Sequence, residues 1–291
     1  MYAMIVSVVL NFILDPVFIY VLNLGSTGAS LATIVSSIGA AIVIMYWILI
    51  KNDTYVDVTF KGFRFDLEIT RDILKVGIPS SLDMFMMSLA MSFYLIFISS
   101  VGGEYGIAAF TSGQRLYLFG IMPLTAIGSA VAAVSGSAFG AKNWDYLSRT
   151  HSYGTKFAML FAVLIMLILV IFAPQLSLIF AYTPDTAPLT PEITNFLRIA
   201  SFGLLLVGFG MPSSFFYQGI GRGTTSLMWT IIRELICTVS FTYLFGIVFG
   251  WGLIGIWTGL AVGRIIASIF NYAYARYTIR KLKTTLNDAV I

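Results

Sequence analysis

Apolar runs alternate with short polar links along the whole chain. Each run is close to the ~20 residues that a helix needs to cross a bilayer. Eight of them fall near 2–24, 28–50, 73–100, 106–138, 155–181, 192–217, 224–250 and 253–278. The links include Gly25-Ser26-Thr27, Val101-Gly102-Gly103 and Pro184–Pro191, and one longer polar segment runs from Lys51 to Arg71. Backbone groups in lipid must be satisfied within the segment, and apolar runs of this length do so as helices. The pattern predicts an all-α polytopic membrane protein with eight transmembrane helices.

Composition strengthens that reading. The 291 residues are 58% hydrophobic and 10% charged, against about 45–50% and 25% in soluble domains. Mean hydropathy is +0.92. The first run has neither the basic flank nor the small-residue cleavage site of a signal peptide. It opens in mid-hydrophobic stretch, as would a chain whose beginning is missing. The single Cys237 lies inside an apolar run, which excludes a disulfide framework or thiol metal cluster. The single His151 falls in what reads as a polar loop, so no histidine-based metal or catalytic site is expected.

The net charge of +4 bears on membrane orientation and not on nucleic acid. Lys51, Lys61, Arg64, Arg71 and Lys75 occupy one set of connections, with Lys142, Arg149, Lys156, Arg222, Arg276, Arg280, Lys281 and Lys283. The alternate connections carry no Lys or Arg. This asymmetry predicts that the 51–72 segment and both termini are cytoplasmic.

A weak internal repeat is visible. Leu24-Gly25-Ser26-Thr27-Gly28 and Trp251-Gly252-Leu253-Ile254-Gly255 share Gly-x-x-Gly, 227 residues apart, and Ile38 and Ile265, then Ala40 and Ala267, keep that offset. The first two spans therefore resemble the last two, an arrangement common in secondary transporters. The expected organisation is 1–50, the last two helices of an incomplete first lobe; 51–72, a cytoplasmic linker; and 73–291, a complete six-helix lobe with a short tail. Four helices of the first lobe would be absent.

Few residues within the runs can carry chemistry. Asn11 and Asp15 lie four apart, on one helix face. Together with Thr33 from the next span they offer a carboxylate, an amide and a hydroxyl, which suit Na⁺ or, if burial raises the Asp15 pKa, a proton. An ionisable group at membrane depth marks a functional site by default. The competing reading makes Asp15 the N-cap of a helix restarted at Pro16. Asp83, with Met84, Met87 and Met91 on the same span, suggests a soft surface for organic substrates, or ordinary packing. Glu234 and Arg264 sit in adjacent spans and are expected to form a structural ion pair; Arg198 and Arg233 are expected to snorkel. The small residues of Gly120–Gly140 permit close helix approach.

Asn11-Phe12-Ile13-Leu14-Asp15-Pro16-Val17-Phe18-Ile19, followed by Gly25, Gly28-Ala29 and Leu31-Ala32-Thr33, resembles the fifth and sixth helices of multidrug and toxic compound extrusion (MATE) transporters. Gly140-Ala141-Lys142-Asn143 is similar to the loop after the family's eighth helix, and Met211-Pro212 through Gln218-Gly219-Ile220-Gly221-Arg222, with Arg233, to helices ten and eleven. The resemblance implies helices five to twelve of a twelve-helix, two-lobe fold. It implies that Asn11, Asp15 and Thr33 belong to the first-lobe cation site, whose first-helix Asp has no counterpart here. Asp83, Met84 and Met87 are the expected substrate contacts.

The expected function is cation-coupled (Na⁺ or H⁺) antiport of drugs or organic metabolites in the plasma membrane, by rocking of two lobes, with no cofactor beyond the coupling ion. The expected partners are the bilayer, small organic substrates and a missing four-helix segment, and not nucleic acid. A lipid-linked oligosaccharide flippase and an accessory membrane subunit are the alternatives. An intramembrane enzyme would need a clustered His/Asp/Glu set or a Ser/Lys dyad, which the spans lack.

Overall fold

The computed structural model describes residues 2–51, 65–182, 184 and 186–287. Met1, Lys61, Arg64 and most of the expected 51–72 linker lie outside the described residues. All regular elements among the described residues are helical. The chain divides into two units, Met1–Asp66 and Leu67–Ile291.

The first unit is a hairpin of α1 (Tyr2–Pro16) and α2 (Gly25–Tyr46). Proline removes one ladder hydrogen bond. Here the helix does not stop at Pro16; it continues as a π-helical stretch over Val17–Val21. A second π-helical stretch, Trp47–Lys51, extends α2. The turn between the helices closes through Leu22 N–H to the Val17 carbonyl at 2.9 Å and Leu24 N–H to the Phe18 carbonyl at 3.1 Å. A Cβ on Gly28 would stand 2.6 Å from the Phe18 carbonyl oxygen, so only glycine lets α2 approach so closely.

The second unit begins with an unbroken run of helical hydrogen bonding from Leu67 to Gly140. As one rod its 74 residues would reach ~110 Å, more than three bilayer cores. Gly103, at φ 56° and ψ −149°, divides it. A Cβ on Gly106 would touch Ile98 at 3.1 Å, which requires the chain to have turned back. The run is therefore two helices, α3 (67–102) and α4 (104–140), as the Val101-Gly102-Gly103 link predicts.

Next come α5 (Trp144–Ile171), the short α6 (Ala173–Leu178), α7 (Thr190–Gly219), α8 (Gly223–Val248) and α9 (Gly252–Asn287). The expected start of the fifth span near 155 is too late. Asn143 caps α5 by accepting the Tyr146 N–H at 3.0 Å, which makes Arg149, His151 and Lys156 helical.

Lipid tails are as apolar as leucine, so close packing and polar contacts hold such a bundle together. Phe110 stacks on Trp257 at 5.7 Å and 7°, and Phe196 meets Trp257 edge-on at 5.0 Å. The buried indole donates to Glu192 Oε1 at 2.7 Å. Gly255, Gly259 and Gly263 recur every fourth residue along α9 and lie against α8; a Cβ on Gly259 would sit 2.5 Å from Thr242 Cα.

The sequence repeat has a structural counterpart. The π-helical stretch Leu244–Val248 of α8 falls 227 residues after Val17–Val21. Phe249 N–H bonds the Leu244 carbonyl at 2.9 Å and Trp251 N–H the Phe245 carbonyl at 3.2 Å, matching the turn of the first unit. A Cβ on Gly255 would strike the Phe245 carbonyl, as one on Gly28 would strike that of Phe18. The hairpins α1–α2 and α8–α9 are built alike.

Candidate functional site

The first hairpin brings Asn11 and Thr33 together. Asn11 Nδ2 donates to Thr33 Oγ1 at 3.4 Å, and that hydroxyl donates to the Ala29 carbonyl at 3.0 Å. The amide carbonyl of Asn11 is left to accept. One helical turn on, Asp15 is half-buried, and its Oδ1 is buried without a hydrogen-bond partner. Asp15 caps nothing, because α1 runs through it and no side-chain cap bond forms at the following π-helical stretch. The hairpin therefore presents an unpaired carboxylate oxygen on the same helix face as an amide oxygen.

In the second unit, Asp83 is half-buried on α3 and its Oδ1 is likewise buried without a partner. Met84 and Met87 face outward, at 77% and 50% exposure. Met91 packs against the core instead. These residues do not converge on Asp83 in a closed site.

A tighter polar cluster lies deeper in the same unit. Glu234, on the π-helical stretch Ile231–Val239 of α8, is buried. Its Oε1 accepts from Arg233 Nε at 2.9 Å and its Oε2 from the Tyr94 hydroxyl at 3.0 Å. The expected Glu234–Arg264 ion pair is replaced by this one, and Arg233 does not snorkel. An α-helix does not turn residues i and i+1 toward each other; here the pair sits where the helix widens to π geometry, a form frequent at functional sites. Arg264 Nη1 donates instead to the Tyr117 hydroxyl at 3.1 Å. Sequence reasoning missed Tyr94 and Tyr117. The available signal was a phenol inside an apolar span, whose hydroxyl needs a partner once buried.

His151 also departs from expectation, being fully buried on α5 and not in a loop. Its Nε2 pairs with Ser213 Oγ at 3.0 Å, and its ring stacks on Tyr272 at 5.5 Å. No group of three or more His, Cys, Asp or Glu that could hold a metal occurs among the described residues.

Comparison with known proteins agrees with this architecture. The MatE family model matches residues 79–244. The probable multidrug resistance protein YoeA of Bacillus subtilis is 22% identical over 294 residues, covering 98% of this chain and 62% of its own length. The multidrug export protein MepA of Staphylococcus aureus is 25% identical over 272 residues, covering 92% of this chain and 58% of its own. A MOP-superfamily transporter from Pyrococcus furiosus, described as having a binding pocket of reversed polarity, superposes with a TM-score of 0.94 at 38% identity, over 97% of this chain and 62% of that one. An outward-facing multidrug resistance MATE transporter gives the same TM-score of 0.94 and 38% identity, over 97% of this chain and 62% of that one. The chain thus spans about three-fifths of the length of the relatives it matches. MATE proteins are transporters and not enzymes, and the membrane-length helices make this a multi-pass membrane protein. With more than half of its residues matched by the family model, the chain belongs to the MatE family.

Proposed function

We propose that this protein serves cation-coupled antiport of drugs or organic metabolites across the plasma membrane, with the Lys- and Arg-rich connections and both termini on the cytoplasmic side. The observation that carries the reading is the unpaired Oδ1 of Asp15, buried one turn from the Asn11–Thr33 contact. A carboxylate at membrane depth is costly unless it gains a partner, and Na⁺ or H⁺ supplies one. Asn11 and Thr33 would complete an oxygen-lined site for Na⁺; a proton would bind Asp15 alone. Rocking of two lobes would carry Asp15 between a cation-bound and a cation-free state while substrate moves the other way. Multidrug export in the names of curated relatives supports the substrate class. Asp83, Met84 and Met87 are the proposed substrate contacts.

The test is efflux of a fluorescent organic cation by the full-length transporter in proteoliposomes under an imposed Na⁺ or pH gradient. Asp15→Asn should abolish gradient-driven efflux while leaving reconstitution intact. Wild-type efflux from that variant would refute the coupling role.

A further inference from the structure

The repeat makes a comparison of the two hairpins possible. At the shared offset, Asn11 corresponds to Thr238 and Asp15 to Thr242. Both threonine hydroxyls are tied to their own helix. Thr238 Oγ1 donates to the Arg233 carbonyl at 2.6 Å and Thr242 Oγ1 to the Thr238 carbonyl at 2.7 Å. The second hairpin thus offers no carboxylate or amide where the first does. Its charges lie about a turn away, at Arg233, Glu234 and Arg264.

Those charges do not balance. Both oxygens of Glu234 are taken, by Arg233 and by Tyr94. Arg264 stands twelve residues beyond Gly252, the start of α9, or ~18 Å along the helix. Its partners are the Tyr117 hydroxyl and the Tyr117 ring, 5.5 Å from guanidinium carbon to centroid. Among the described residues no carboxylate comes within 4.0 Å of it, although Glu234 and Tyr94 lie within electrostatic reach. The Arg264 side chain is half-buried, and none of its nitrogens is both sealed from solvent and without a partner. Two guanidiniums share one carboxylate, which leaves a net positive charge at membrane depth. Such charges are retained where they meet a counter-ion.

We propose that Arg264, backed by Tyr117 and flanked by the Arg233–Glu234 pair, binds the oxyanion of a small organic molecule: a carboxylate, a sulfonate or a phosphate ester. The planar guanidinium fork matches such groups. Glu234 cancels one of the two positive charges and so favours a singly charged anion. Gly263, which lets α9 lie against Thr238, holds Arg264 beside Glu234. The site lies wholly within the second unit and stands whether or not Asp15 couples to a cation.

The protein in nanodiscs of neutral phosphatidylcholine is titrated with two pyrene probes, one bearing a sulfonate and the other a trimethylammonium. The wild type should bind the sulfonate about tenfold more tightly or better, the range for a charge-assisted hydrogen-bonded contact. Arg264→Gln should erase that preference. Arg264→Lys, which keeps the charge but loses the fork, should weaken sulfonate binding several-fold, and decides the matter if the Gln variant does not fold. Repeating the titration in phosphatidylglycerol nanodiscs separates the sources: loss of probe binding assigns the site to lipid phosphate, and retention assigns it to a free oxyanion. Equal binding of the two probes, or an unchanged sulfonate preference in the variant that folds, overturns the proposal.

Discussion

Asp15 and Glu234 are both carboxylates within membrane-length helices, yet their surroundings suit opposite tasks. Asp15 keeps a buried oxygen without a partner, which the proposed coupling cation would fill. Glu234 is held by a guanidinium and a phenol, and removing either leaves a buried acceptor to be resolvated. His151 has a packing role. Its ring meets Tyr272 and, edge-on at 5.4 Å, Phe216. Ser213 also back-bonds to the Phe209 carbonyl at 3.0 Å, so it would not be orphaned without the histidine. His151→Phe should therefore cost less than ~1.5 kcal/mol, as shape-conserving swaps do. His151→Ala should cost about 3–5 kcal/mol, as aromatic truncations in cores do. Thermal unfolding in detergent checks both; equal losses would place the energy in the Nε2 hydrogen bond rather than in the ring.

Hairpins with a glycine seam recur at the level of the element. Gly28 in the first unit and Gly255, Gly259 and Gly263 in the second let one backbone rest on another. Without a hydrophobic drive between helices, that proximity carries much of the association. Gly259→Val should separate α8 from α9 and destabilise by several kcal/mol, in the range for overpacking a close contact. Gly77→Ala, where an added Cβ meets nothing within 4 Å, should be neutral or stabilising by about 0.5–1 kcal/mol. A melting shift of equal size in both variants would contradict the seam. The spans themselves were legible, because bilayer thickness imposes a length that composition reveals, and Gly102-Gly103 announced the turn between α3 and α4. The start of α5 was hidden because its polar first turns extend the helix beyond its apolar part. The π-helical stretches were hidden because a one-residue widening leaves no mark on an apolar run. With them went the Arg233–Glu234 pairing, since an α-helical register does not bring those neighbours together.

At the scale of the molecule, the two repeat-related hairpins carry different chemistry in the same backbone. The α1–α2 hairpin carries the oxygen atoms of the proposed cation site, and the α8–α9 hairpin the guanidinium groups of the proposed anion site. Asn11 and Asp15 were legible as neighbours on one face because they stand four apart in an apolar run, and the Asn11–Thr33 contact joins them from the next helix. The anion-binding cluster was not legible, because its members come from α3, α4, α8 and α9 and meet only in the fold. The most direct measurement of the central claim is ion movement driven by substrate. In proteoliposomes of the full-length transporter, an imposed gradient of organic substrate should drive Na⁺ or H⁺ in the opposite direction, read with radioactive sodium or a pH-sensitive dye. Asp15→Asn should abolish that ion flux. Substrate-driven ion flux that survives intact in Asp15→Asn would contradict Asp15 as the coupling residue.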